Sequence, residues 1–251
     1  MESLLLDTVR KSRIPAKLDF YQSATGLILG LFMWVHMLMV SSILLGKDAM
    51  KFVAGMLEGS ILRGEGDHGY PILVTLAAMG IFTLFIIHAA LAVRKFPANW
   101  KQHKVFRQQM SMMNHDDTNY WYTQFITGFI MFFLGSVHLF IIMTHPDKIG
   151  PYASADRVVS EWMWPLYLVL LFAVEFHGTI GLYRLAVKWG WFDGADPRAT
   201  RKKLKAFKKA LTIFFVVLGL ASLGAYVKIG VEQINNDNVG GRYTRVSSTN
   251  Q

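Results

Sequence analysis

The chain has 251 residues, of which 53% are hydrophobic and 17% charged, with a mean hydropathy of +0.31 and a formal net charge of +9 at pH 7. Charge this sparse, with apolar residues gathered in long blocks, excludes an ordinary soluble domain, and the basic excess has a topological reading that invokes no nucleic acid. Cysteine is absent, which excludes disulfides, thiolate metal sites and cysteine-bound iron–sulfur clusters within this chain.

The first stretch, "MESLLLDTVRKSR", has too short an apolar run before its charges, and no cleavage site, to be a secretory signal. Five apolar blocks follow at 24–45, 71–93, 124–143, 164–187 and 210–227, each close to the roughly 20 residues that a helix needs to cross a bilayer. The expectation is an all-α integral membrane protein, a bundle of five transmembrane helices. An amphipathic piece at about 51–62 is predicted to lie at the outer surface. Pro71 opens the second block and Pro165 fits the first turn of the fourth, where a missing N–H costs nothing. Trp162 and Trp164 before the fourth block, with Trp189 and Trp191 after it, form an interfacial aromatic pattern. Gly194 and Pro197 turn the chain, and from Asn235 the sequence is polar. Residues 1–234 thus read as one transmembrane domain and 235–251 as a polar tail.

Basic residues set the orientation. Seventeen fall in the N-terminal segment and the second and fourth loops, against eight in the alternate segments. The N-terminus is therefore predicted to be cytoplasmic and the C-terminus periplasmic.

Ionisable groups at membrane depth are costly unless they face a cavity, a partner or a cofactor. The fourth block carries three in "VEFHGTIGLYRLA": Glu175, His177 and Arg184. Of eight histidines, His68, His103, His115 and His145 lie in loops or at helix ends, whereas His36, His88, His138 and His177 sit inside four different apolar blocks. The first and third blocks share a pattern, "TGLILGLFMWVHML" and "TGFIMFFLGSVHLF", with glycine ten residues before histidine (Gly26/His36, Gly128/His138). Both blocks run outward. Counted from Asp19 and Asp117, His36 and His138 lie about 26 and 32 Å along, in the outer half. His88 and His177 precede Arg94 and Arg184 closely and fall in the cytoplasmic half. Two pairs at two levels meet the requirement of two stacked bis-histidine haems, and without a Cys-x-x-Cys-His sequence these would be b-type. Gly135, Ser136, Gly178 and Gly181 offer small surfaces to a flat macrocycle, although small residues more often simply permit close helix packing. Met33, Met37 and Met131 are alternative ligands by type, and a binuclear zinc or copper site is the metal alternative.

The blocks "KSRIPAKLDFYQSATGL", "HAALAVRKFP", "TGFIMFFLGSVHL" and "VSEWMWPLYLVLLFAVEFHGTIGLYRLAVKWGWFDG" resemble the dihaem cytochrome b anchor subunit of quinol:fumarate reductases and succinate:quinone reductases. The resemblance spans nearly the whole chain. It implies two haems b, one on His88 and His177 near the cytoplasmic side and one on His36 and His138 near the outer side. It also implies haem-propionate partners at Gln22, Ser23, Trp121 and Lys188 on the inner side and Arg157 on the outer. Glu58 matches the family's acid beside the quinol, and Glu175 its buried acid for proton passage through the membrane. Desolvation favours the neutral form of a carboxyl group, so such a group can alternate between neutral and charged forms.

The resemblance thus implies a bacterial inner-membrane anchor. It would pass electrons between menaquinol and the iron–sulfur and flavoprotein subunits, docked on the cytoplasmic side, of a fumarate reductase or succinate dehydrogenase. A dimer of such heterotrimers is a further expectation. This chain would do no dicarboxylate chemistry itself. The alternatives are a dihaem anchor of a hydrogenase or formate dehydrogenase, and a haem-free proton-coupled transporter using Glu175 and the histidines as a relay.

Overall fold

The computed structural model describes residues 12–60, 69–113 and 115–243, and every regular element among them is helical. The helices are α1 (Ile14–Val40), α2 (Lys47–Leu57), α3 (Pro71–Val93), α4 (Trp100–Met113), α5 (Asp116–Thr144), α6 (Pro151–Val159), α7 (Trp164–Lys188) and α8 (Pro197–Asn235). A 3-10 turn at Ser41–Leu45 continues α1. The signal-sequence expectation for the first residues, most of the loop before Tyr70 and the last eight residues of the tail lie outside the described residues.

Five of the seven prolines start helices: Pro15, Pro71, Pro151, Pro165 and Pro197 each occupy the first turn of α1, α3, α6, α7 or α8. There the fixed φ suits the helix and no hydrogen bond is forfeited. Asp196 adds a side-chain cap to α8, accepting from the amides of Arg198 (2.8 Å) and Ala199 (3.2 Å).

α1 with its 3-10 extension, α3, α5, α7 and α8 are long and apolar enough to cross a membrane. The expected second block coincides with α3. By contrast α1, α5 and α8 begin at residues 14, 116 and 197, well before the apolar runs at 24, 124 and 210. All three extensions sit at the same, basic end of the bundle. Backbone hydrogen bonding continues there in polar sequence, because hydropathy marks what lipid covers and not where a helix starts. α8, with 39 residues, is about 58 Å long.

α1, α3, α5 and α7 form a closed ring: α1 packs on α3, α3 on α5, α5 on α7, and α7 back on α1. α8 lies outside the ring against α7. α7 is therefore covered on both sides and carries ten of the buried residues, whereas α5 has only Thr127. At the end away from the basic extensions, α2 and α6 close the bundle over Ile43, Met50, Ala155, Val158, Tyr226 and Ile229. The start of the polar tail is docked there. The Asp156 carboxylate accepts from the Gln233 side-chain amide and from the Gly240 amide, and Tyr243 donates to Asp48 at 3.0 Å. At the basic end α4 folds back on α5, with Phe106 against Trp121 at 4.6 Å between ring centres.

Candidate functional site

One cavity of about 850 Å³ runs inside the ring. Each of its four helices contributes one histidine to the wall: His36 from α1, His88 from α3, His138 from α5 and His177 from α7. The pairs come from diagonally opposed helices. His36 and His138 have ring centroids 6.1 Å apart, and His88 and His177 have theirs 6.4 Å apart. Neighbouring helices could bring two imidazoles side by side, but only opposed ones can place them on opposite faces of something in the middle. A metal ion with two axial nitrogens at about 2.0–2.1 Å holds imidazole centroids about 6.4 Å apart. The spacing of both pairs fits one iron between each.

The two levels differ in their surroundings. At the level near the basic end, His177 Nδ1 donates to the Gln124 carbonyl at 2.9 Å and lies 3.4 Å from the Thr127 hydroxyl. His88 Nδ1 lies 3.0 Å from the Thr25 hydroxyl. Both rings lean on glycines. A Cβ on Gly26 would stand 2.8 Å from His88 Cε1, and one on Gly128 would stand 3.1 Å from His177 Cε1. At the other level His36 stacks on Phe32 (5.6 Å, 21°) and His138 meets Tyr167 edge-on at 5.6 Å. His138 Nδ1 is buried with no hydrogen-bond partner among the described residues.

The polar residues expected around a haem all fall on the cavity wall. Gln22, Ser23, Trp121 and Lys188 line it at the basic end, and Arg157 lines it at the other. Lys188 donates to Ser23 at 3.2 Å and is 3.5 Å from Asp19, which also pairs with Arg94 (2.6 Å) and Lys95 (2.8 Å). The Gln22 side-chain oxygen is buried without a partner among the described residues. Arg157 is only 6% exposed, so helix α6 turns a guanidinium inward; its group donates to the Lys148 carbonyl. A cavity apolar along its length, with cations at its ends, suits an apolar macrocycle bearing carboxylates.

Of the small residues named from sequence, Gly135, Gly178 and Gly181 line the cavity and Ser136 does not. Ser136 instead donates to the carbonyl of Phe132 on its own helix. Glu58 caps the end of α2; Ala54 and Leu57 beside it line the cavity, but Glu58 is not on the wall. Glu175, 2% exposed, is likewise not on the wall; it shares a stripe of α7 with Thr179 one turn on. Thr179 bonds Thr212 of α8 at 2.8 Å, and Glu175 Oε1 has no partner among the described residues. Arg184, without a counterpart on its own helix, finds one on the neighbouring helix α5: it donates to the Gln124 side-chain oxygen. Gln124 thus serves both His177 and Arg184, a role unread from sequence. The signal was present, because "QSATG" and "QFITG" extend the shared Thr-Gly pattern back to a glutamine in both helices.

An all-helical protein that crosses the membrane several times and keeps four histidines in two facing pairs inside its bundle belongs to the class of helical membrane redox anchors. Residues 101–219 match the family model of the succinate dehydrogenase/fumarate reductase transmembrane subunit. The fumarate reductase cytochrome b subunit of Wolinella succinogenes is 58% identical over 224 residues, covering 89% of this chain and 86% of that protein. The subunit of the same name from Helicobacter pylori is 51% identical over 230 residues, covering 92% and 87%. The chain belongs to this family, as a cytochrome b membrane anchor of fumarate reductase in a bacterial inner membrane. These matches do not favour a hydrogenase or formate dehydrogenase anchor, or a transporter.

Proposed function

We propose that this chain carries electrons across the membrane between menaquinol and the soluble subunits of its complex, using two stacked haems b. The observation that carries the reading is the pair of facing imidazoles at each of two levels of one cavity, supplied by diagonally opposed helices. His88 with His177 would hold the inner haem and His36 with His138 the outer one. When bound, six-coordinate iron supplies one-electron transfer without an open site for oxygen.

The chain's own residues do the rest. Gln22, Ser23, Trp121 and Lys188 would hold the inner propionates and Arg157 the outer ones; their places on the wall support this. The ring of helices keeps water from the electron path. Near the far end, Glu58 would take a proton from the quinol, with Ala54 and Leu57 beside it forming the wall. Glu175 would exchange a proton along the α7–α8 seam, on the stripe marked by Thr179 and Thr212; its place off the cavity wall separates that route from the electron path. The basic end faces the cytoplasm, where the flavoprotein and iron–sulfur subunits dock. The opposite end and the C-terminus face the periplasm, and two heterotrimers pair in the membrane. The reaction is quinol oxidation with fumarate reduction, or its reverse. Residues 1–234 act as one membrane domain and 235–251 as its tail.

A redox-titrated absorption spectrum of the purified complex, with succinate and a menaquinol analogue as alternative reductants, tests this. Two b-type transitions are expected, with one lost in His36→Ala and the other in His88→Ala. A single transition, or none, overturns the proposal.

A further inference from the structure

The Q-x-x-T-G segment occurs once on α1 (Gln22–Gly26) and once on α5 (Gln124–Gly128). Each is set against a histidine of the neighbouring helix: His88 of α3 for the first, His177 of α7 for the second. The three marked positions do three separate jobs. On α5 the glutamine's backbone carbonyl accepts from His177 Nδ1 at 2.9 Å. The threonine hydroxyl is an acceptor on both helices, and the glycine leaves the space in which the ring lies.

The hydroxyl's direction follows from its other bond. Thr25 donates to the Tyr21 carbonyl at 2.8 Å and Thr127 to the Thr123 carbonyl at 2.7 Å. A hydroxyl has one hydrogen, and here it is committed to its own helix. Toward the imidazole each threonine can only accept, and a carbonyl can only accept. Both acceptors therefore require Nδ1 to carry the proton, which leaves the Nε2 lone pair for a metal. No such segment faces the outer pair, where His138 Nδ1 is buried without a partner among the described residues.

Building on the reading of His88 and His177 as inner-haem ligands, we propose that the two Q-x-x-T-G segments are imidazole cradles. They fix the tautomer and ring orientation of the inner pair alone, with Thr25 and Thr127 as positioning residues. Donation from Nδ1–H makes an imidazole a stronger ligand and favours ferric iron. The cradles thereby hold the inner haem at a lower potential than its histidines alone would give.

The test is a redox titration of the whole complex carrying Thr25→Val or Thr127→Val, with Thr→Ser at the same positions as the hydroxyl-retaining control. Low-temperature EPR of the ferric haems serves as a second readout, because the largest g value follows the angle between the axial rings. Both valine variants should raise the same one of the two transitions and leave the other in place. Thr25→Val, whose oxygen is nearer its imidazole, should move it further, by up to about tenfold in the reduction equilibrium, or about 59 mV for one electron. The serine variants should return the transition and the EPR signal to their original positions. If valine expels one haem and serine restores it, the hydroxyl is equally shown to matter. Two transitions that neither valine variant moves, or that the two variants move separately, or a haem lost with serine as well as valine, overturn the cradle. An unaltered complex without two transitions overturns the haem reading beneath it.

Discussion

A glycine's worth in this fold depends on what its missing Cβ would touch. Gly26 lies against an imidazole at 2.8 Å, while a Cβ on Gly80 or Gly224 would meet nothing within 4 Å. In the helix interior an exposed Gly→Ala change stabilises by about 1 kcal/mol, so Gly80→Ala and Gly224→Ala should leave thermal stability in detergent unchanged or slightly raised. Gly26→Ala must instead displace His88, and the expected outcome is loss or broadening of one b-type transition in the redox titration with the other retained. Gly219 makes a separate case. A Cβ there would stand 2.4 Å from Leu171 and 2.9 Å from Met37, in the small core that joins α1, α7 and α8. Gly219→Ala should cost about 1–3 kcal/mol by overpacking, seen as a lowered melting temperature with both haem bands present at low temperature. Glu175→Gln removes the ability to gain and lose a proton without changing shape. It should leave the spectra intact while slowing quinol-driven turnover in sealed membranes, and full activity there would refute the proton role proposed for it.

Among the elements, sequence and structure part company in an instructive way. The apolar blocks marked every spanning helix, because lipid imposes a long hydrophobic run on any helix that crosses it. α4 and α6 carried no such mark: "WKQHKVFRQQMSMM" is mixed in character, and "PYASADRVV" is only nine residues long. The paired pattern on the first and third blocks was visible, and it placed His36 and His138 at equal depth. Its glycines, however, serve the histidines of other helices. Spacing along one helix reports depth and face, but which helix lies across is a fact about the ring, and the ring is written in no single segment. Arg184 shows the same limit, since its partner Gln124 lies sixty residues away on α5. The clasp of α6 on α8 was equally unread. Asp156 there accepts from Gln233 and Gly240. Asp156→Ala would remove the acceptor of the buried Gln233 side-chain amide, at about 1–3 kcal/mol, and release the exposed Gly240 amide. The expected result is faster proteolysis of the C-terminal segment in detergent, with haem content preserved.

For the whole molecule, charge is concentrated at one end. The first turns of α8 bring Arg198, Arg201, Lys202, Lys203, Lys205, Lys208 and Lys209 to the basic end, and a helix of about 58 Å exceeds the roughly 30 Å hydrocarbon layer. The extra length projects a cationic stalk beyond the bilayer. Exposed charges act mainly on association, and salt screens them. Replacing Lys202 and Lys203 with glutamine should weaken retention of the soluble subunits during purification at low ionic strength, with the difference from the unaltered chain shrinking as salt rises, and without altering the haem spectrum.

The closed ring has a consequence for biogenesis. Diagonal partners are never consecutive in the chain, so under the proposed ligation neither iron would gain its second ligand from the next span to enter the membrane. His36 must await α5, and His88 must await α7. A nascent chain halted after α5 would then hold only the His36–His138 pair complete, and the His88–His177 level would stay open until α7 slides into place. Metal capture there would mark the closing of the four-helix ring, with α8 still to follow.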